Sequence, residues 1–290
     1  MEPKTEIQLL TDIEREIFSA AGGRSKFLSE LPYIFRQAVD ELIDAPRTRR
    51  LTFAELEPNE KTVLGTKVEA ALRYLLGFPR AKLDFFIGGH DVDVKYSSTG
   101  QWMIPPEAKG HVCIVAQADE TTGLFSFGLV AALTDRLRTG SNRDAKVSFL
   151  AEARKHIRWI AHSQPYPRNI WEGKSQSDIN FIFEPNDGTG RICRLFLSHV
   201  GEPIHRYTIQ TVARQHDYMK RVRANQGARD HLHPQGVFIL SGNQDGPLLR
   251  QLGLGYLGRD FMMAYRPRSS AEAELIMKKP RHAKLFKFRG

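Results

Sequence analysis

Cysteine is nearly absent: Cys113 and Cys193 are the only two in 290 residues. That excludes a disulfide framework or a cysteine zinc site and leaves both as candidates for small buried side chains. No apolar run reaches the roughly 18 residues that a membrane helix needs. The acidic, amphipathic start MEPKTEIQLLTDIEREIF lacks the basic and apolar regions of a signal peptide, so the expected location is cytoplasmic, with no membrane partner. There is no internal repeat and no low-complexity tract, which excludes solenoids and repeat arrays.

What is present is an ordinary globular composition, 41% hydrophobic and 26% charged, in a chain long enough for two domains that each bury a core. The net charge of +9 is unevenly placed. Residues 1–164 hold 22 Lys and Arg against 22 Asp and Glu, whereas 165–290 hold 20 against 11. A neutral module joined to a basic one points to a polyanionic partner held mainly by the second half. Composition puts the boundary in HSQPYPRNIWEGKSQSD, which carries Pro165, Pro167 and Gly173 and few periodic apolar positions. The expected division is a first domain over 1–164, a linker over 165–175 and a basic domain over 176–290.

Apolar spacing of three and four predicts helices in IQLLTDIEREIFSAA, SELPYIFRQAVDELID and EPNEKTVLGTKVEAALRYLLG, the last ended by Gly77. The period then falls to two. KLDFFI, a turn at Gly88-Gly89 and DVDVKYS read as a β-hairpin, with a four-residue connection from Ile87 to Val92. GHVCIVAQAD and LFSFGLVAAL read as further strands, and 147–161 as a helix. The first half is therefore an α/β arrangement with a mixed sheet. In the second half INFIFEP, GVFILSG and DFMMAYRP read as strands, with a short helix in GPLLRQLGL. YTIQTVARQHDYMKRVRANQG reads as one amphipathic helix that buries Ile209, Val212, Met219 and Val222 and turns Arg214, Lys220, Arg221 and Arg223 outward. The basic tail KKPRHAKLFKFRG, with interleaved Phe, could lie along a nucleic-acid backbone.

The hairpin carries the chemistry. Residues two apart share a face, so Asp93 and Lys95 point one way and Val92, Val94 and Tyr96 the other, with Asp84 on the neighbouring strand. Two carboxylates in a partly buried site repel unless a cation intervenes, and oxygen ligands of this kind suit Mg²⁺. A metal there would bind a phosphate oxygen and acidify a water, with Lys95 orienting the water or stabilising charge on phosphorus; the reaction is phosphodiester hydrolysis. Glu69, on the preceding helix, is placed to complete or orient such a site. Taken alone, D-x₈-D-x-K also describes a solvated surface ion pair, and Glu107 in PPEA reads as a helix cap.

Beyond that short motif, the run from EPNEKTVLGTKVEAAL through LDFFIGGHDVDVKYSSTGQWMIPPEAKGHVCIVAQAD resembles the NaeI family of type II restriction endonucleases, and the likeness extends through IHRYTIQTVARQHDYMKRVRANQGAR. The resemblance implies a PD-(D/E)xK nuclease core with a mixed sheet and a C-terminal domain of winged-helix or helix-turn-helix type. It puts the family's acidic and lysine site on Glu69, Asp84, Asp93 and Lys95. It further implies Mg²⁺ as cofactor, a homodimer cutting double-stranded DNA at a palindrome, stimulation by a second DNA copy, and a companion DNA methyltransferase. Two other readings remain open: a mismatch-repair-type nicking endonuclease on the same core, and a non-catalytic DNA-binding regulator. An RNA-directed enzyme has no aromatic RNA-binding motif to support it.

Overall fold

The structure is a computed structural model that describes residues 3–283. The last part of the basic tail, 284–290, lies outside the described residues. The chain forms two compact units, one from the chain up to Leu42 with Glu57–Arg168, the other from Ile43–Leu56 with the chain from Asn169 onward. Among the described residues no helix is long and apolar enough to cross a membrane.

The first unit starts with two long helices, α1 (Pro3–Ala20) and α2 (Arg24–Ile43). After a short turn at Pro58–Thr62 comes α3 (Leu64–Leu76), in which Leu64, Val68, Leu72 and Leu76 form one buried stripe. Gly77 closes it in the left-handed conformation, φ 67°. The sequence pattern runs through Val63 without a break, whereas the chain re-nucleates there.

Five strands follow: β1 (Phe85–Ile87), β2 (His90–Tyr96), β3 (Val112–Asp119), β4 (Leu124–Ala131) and β5 (Arg158–Pro165). They form a mixed sheet in chain order, parallel only between β2 and β3. A mixed sheet flanked by helices fits a nuclease core. Helix α2 packs on it through Phe27 against Phe127 and Phe35 against Phe125, with ring centroids 5.4 and 5.1 Å apart. The buried Arg36 pairs with Asp40 at 2.8 Å and Glu120 at 2.9 Å.

Two readings of the sequence fail here. The expected helix at 147–161 is instead a two-residue strand, a 3₁₀ stretch over Ala151–His156 and the edge strand β5. Its apolar spacing suits either state, and pairing with β4 decides. A Cβ on Gly128 would sit 2.7 Å from Ile157 and 2.9 Å from Trp159, so this glycine makes room for the crossing edge strand. The hairpin turn is two residues rather than four: Ile87 pairs with His90, and Gly88 and Gly89 both have positive φ, 56° and 88°.

The second unit holds α4 (Gln176–Phe183), α5 (Gly188–Ser198), β6 (Ile204–His205), α6 (Arg206–Ala213), α7 (Ala228–Leu232), β7 (Phe238–Ser241), α8 (Gly246–Gln251), β8 (Phe261–Tyr265) and α9 (Ser270–Met277). Its three strands form an antiparallel sheet with β8 in the centre. The strand expected in INFIFEP is helix α4, because Ser175 and Asp178 cap it reciprocally and its apolar residues turn Ile182 into the core. Ile170 and Trp171 also belong to that core, so the stretch expected to cross the surface is in part buried. The long helix expected over 207–227 ends at Ala213: Arg214 adopts the left-handed conformation, φ 53°, and only a 3₁₀ turn resumes at Tyr218–Arg221. Ile209, Val212 and Val222 are buried as expected all the same. Cys113 is buried, Cys193 partly so, and both are free thiols.

Leu72 has no solvent exposure and anchors α3. Leu72→Ala should destabilise the first unit by about 2–5 kcal/mol, as a lower urea midpoint followed by circular dichroism.

Candidate active site

Register is what assembles the site. The last paired residues of the hairpin are Phe85 and Val92, so one step further along the strands Asp84 faces Asp93. A four-residue turn would have placed Asp84 opposite Lys95. Asp84 is held there by its own acceptor: Oδ2 takes the backbone N–H of Val94 at 2.9 Å. Asp93 projects from the middle of β2 beside Cys113 of β3 and is only 4% exposed.

The two carboxylates lie within hydrogen-bonding reach of each other. Lys95, two residues on and on the same face, brings Nζ to 2.6 Å from Asp93 Oδ2. The contact is an ion pair at charge-assisted hydrogen-bond distance, made to an oxygen that is itself buried. Burial pushes the Asp93 carboxyl up to about 6; Lys95 opposes the shift and the Asp84 charge adds to it. The same burial, with the neighbouring carboxylates, raises the Cys113 thiol, which packs behind the pair as an inert side chain.

Glu69 takes a different position from the aspartates. Its carboxylate is bound by Arg73, one helical turn on, and by Arg80 at 3.4 Å. Arg80 also reaches Asp84 Oδ1 at 3.7 Å, and Arg73 donates to the Asp84 backbone carbonyl at 3.3 Å. Of the four residues singled out from the sequence, the fold gathers Asp84, Asp93 and Lys95 directly and links Glu69 to Asp84 through Arg80. Among the described residues no set of three or more His, Cys, Asp and Glu side chains is gathered as a metal cluster. The donor set that fits a hard divalent ion is the opposed pair of carboxylates, Asp84 and Asp93, which lie within reach of each other. Arg73 and Arg80 were missed in the sequence. Arg73 stands four after Glu69 on one helix face and Arg80 four before Asp84, and the first spacing was legible.

The arrangement of carboxylate opposite carboxylate beside an ammonium, on the first two strands of a mixed sheet, is one that metal-assisted phosphodiester-cleaving sites use. The family model for restriction endonuclease NaeI matches residues 29–272. The chain belongs to that family. A curated relative, the type II restriction enzyme NaeI of Lentzea aerocolonigenes, is 35% identical over 242 residues, which is 76% of this chain and 73% of the relative. Membership makes the chain a DNA-binding hydrolase, a site-specific deoxyribonuclease.

The four candidate DNA-contacting residues do not share one helix. Arg214 lies with its guanidinium over the Phe183 ring, 4.6 Å from the centroid. Lys220 is exposed and 3.4 Å from Asp217; Arg221 donates to Gln215 at 2.6 Å and lies 3.6 Å from Asp217. Arg223 is exposed and makes no ion pair among the described residues. The exposed Glu107 lies inside the 3₁₀ turn Pro106–Ala108, whose cap position is Pro105 and which has no side-chain cap hydrogen bond, so the expected cap is not formed.

The raised Asp93 carboxyl has a stability consequence. Between about pH 4 and 6 the folded chain holds that proton more tightly than the unfolded chain, so stability without added metal falls as pH rises through this window, by up to about 3 kcal/mol. Asp93→Asn should flatten the fall in urea unfolding in EDTA; an unchanged pH profile would remove the burial argument.

Proposed function

We propose that the chain is a Mg²⁺-dependent type II restriction endonuclease that cuts both strands of duplex DNA at a palindromic site. The observation that carries the reading is the opposed Asp84 and Asp93 pair with Lys95 Nζ 2.6 Å from Asp93. In this reading Asp84 and Asp93 hold the metal, and Glu69 acts as a third acidic ligand or orients the site through the arginines it binds. The ion, when bound, supplies Lewis acidity to a phosphate oxygen and acidifies a water. Asp93 must be ionised to serve, and its carboxyl near pH 6 meets that condition at neutral pH. Lys95, relieved of part of its pairing with Asp93, directs its ammonium at charge developing on the phosphate. Arg80, 65% exposed at its side chain, lies at the mouth of the same site.

The rest of the proposal concerns partners. Residues 1–164 form the endonuclease domain and 176–290 a basic DNA-binding domain of helix-turn-helix type, in which Arg214, Lys220, Arg221 and Arg223 face phosphates. The arrangement of α5, α6 and the three-stranded sheet supports this without reproducing one long recognition helix. Twofold symmetry would let two identical sites cut the two antiparallel strands, hence a cytoplasmic homodimer. Stimulation by a second DNA copy and a companion DNA methyltransferase complete the reading.

The experiment is digestion of sequenced plasmids with Mg²⁺, followed by mapping of the ends. Paired double-strand breaks at one sequence are expected; single nicks would favour the mismatch-repair-type enzyme, and intact supercoiled DNA the non-catalytic regulator. Asp93→Ala should lower cleavage by at least ~100-fold and leave DNA affinity within about threefold, measured by gel shift in EDTA. Binding by the full chain should weaken steeply with salt, and Lys220→Ala should reduce the log–log slope by about 1. A slope unchanged in that variant removes Lys220 from the phosphate contacts.

A further inference from the structure

Within the second unit, a cavity of about 1230 Å³ opens between the 3₁₀ turn at Tyr218–Arg221, α7 and the ends of β7 and β8. Five arginines line it. Two are neutralised by carboxylates, Arg206 by Asp260 at 3.4 Å and Arg281 by Asp245 at 2.8 Å. Arg223 and Arg259, exposed at the rim, have no ion pair among the described residues.

The fifth, Arg229, is the informative one. It is 8% exposed, and its hydrogen-bond partner is not a carboxylate but the His282 ring, Nη1 to Nδ1 at 3.2 Å. That nitrogen accepts, so the other carries the proton and faces Asp245 Oδ1 at 3.3 Å. Asp245 is already engaged by Arg281 and by the N–H of Ser241 at 2.8 Å. Desolvation, together with the charge of Arg281, pushes the Arg229 guanidinium down to about 10, so its cationic form lacks adequate compensation from the protein. A buried cation of this kind calls for an anion from outside.

The remaining walls narrow the choice. Tyr218 and Met219, both partly exposed, give an apolar side suited to a flat ring, while Val222 and Phe261 line the cavity from buried positions. Asn225 and Gln226 also line the cavity and take the left-handed conformation, φ 80° and 68°. Their turn is closed by Gly227, where a Cβ would fall 2.1 Å from the Arg223 carbonyl oxygen. Phosphate-binding guanidinium, apolar wall and side-chain amides together match the parts of a nucleotide. A duplex presents its phosphates on a convex backbone and cannot bring one to a guanidinium this deep, whereas an unstacked nucleotide can.

We propose that this cavity binds a nucleoside phosphate, with Arg229 on the phosphate and the Tyr218–Met219 side against the base. A free nucleotide and an unpaired nucleotide of a DNA strand share that chemistry. The proposal does not depend on the nuclease reading, because it uses no residue of the carboxylate site.

The test is calorimetric titration of the full chain in EDTA with inorganic phosphate, a deoxynucleoside 5′-monophosphate, a five-nucleotide single strand and a blunt duplex. The monophosphate is expected to bind at least tenfold tighter than inorganic phosphate. Arg229→Gln should weaken monophosphate binding by tenfold or more with an unchanged circular dichroism spectrum. Arg259→Ala, at the exposed rim, supplies a second variant should the first not fold, with an expected loss of about threefold. A single strand that outbinds the monophosphate and competes with it identifies DNA as the source; equal affinities identify the free nucleotide. The proposal is overturned by phosphate binding as tightly as nucleotide, by the duplex displacing the monophosphate as well as the single strand does, or by monophosphate affinity unchanged in both variants. Plasmid cleavage retained alongside any of these results would leave the nuclease reading standing.

Discussion

A two-residue turn decides what the first unit can do. Gly88 and Gly89 both take positive φ, a combination other residues adopt with strain, and the resulting register sets Asp84 against Asp93 rather than against Lys95. Had the connection been longer by two residues, each carboxylate would have met a different neighbour and the site would have been an ordinary ion pair. Like charges at adjacent strand positions are unfavourable, and the fold tolerates them by supplying a backbone N–H to Asp84 and an ammonium to Asp93. Burial still raises the Asp93 carboxyl in spite of that ammonium. A carboxyl perturbed by burial and a like charge, set in a sheet, is a form functional sites take.

The positive charge around the pair is arranged in two layers. Lys95 is part of the strand and sits beside the carboxylate. Arg73 and Arg80 come from the helix and from the loop after it, and both converge on Glu69. Glu69 therefore serves at least to fix two guanidinium groups whose other contacts are to Asp84. A carboxylate that orients cations and a carboxylate that binds metal are distinct tasks, and the alternation of charges along Glu69, Arg80 and Asp84 gives the first a definite geometry.

Much of this was legible in the sequence because it depended on local periodicity. The period-two run in VDVKY gave the face that Asp93 and Lys95 share, and the glycine pair marked the hairpin. The stripe Leu64, Val68, Leu72 and Leu76 marked α3, although not the break at Val63. What local pattern could not supply was register, which depends on turn length, and the state of segments whose apolar residues suit two periods. The end of AKVSFLAEARKHIRWIA, from Arg158, became an edge strand because β4 offered it a partner, and INFIFEP became a helix because Ser175 and Asp178 capped it. Arg214 ended a helix that its own amphipathicity would have continued. In each case a contact outside the segment decided between two locally acceptable states.

The basic surplus of the second half also looks different once partners are assigned. Several of its arginines bind the protein itself. Arg191 donates to the carbonyls of Pro185, Asn186, Val212 and Ala213, the last two at the end of α6, and acts as an internal cap. Arg194 is taken by Glu184, Arg268 by Glu272 and Arg206 by Asp260. A count of Lys and Arg therefore overstates the charge available to a polyanion. The cations whose charge is not spent on a carboxylate include Arg223, Arg229 and Arg259, and these three line one cavity. Of these three, the least compensated charge, on Arg229, is also the most deeply buried.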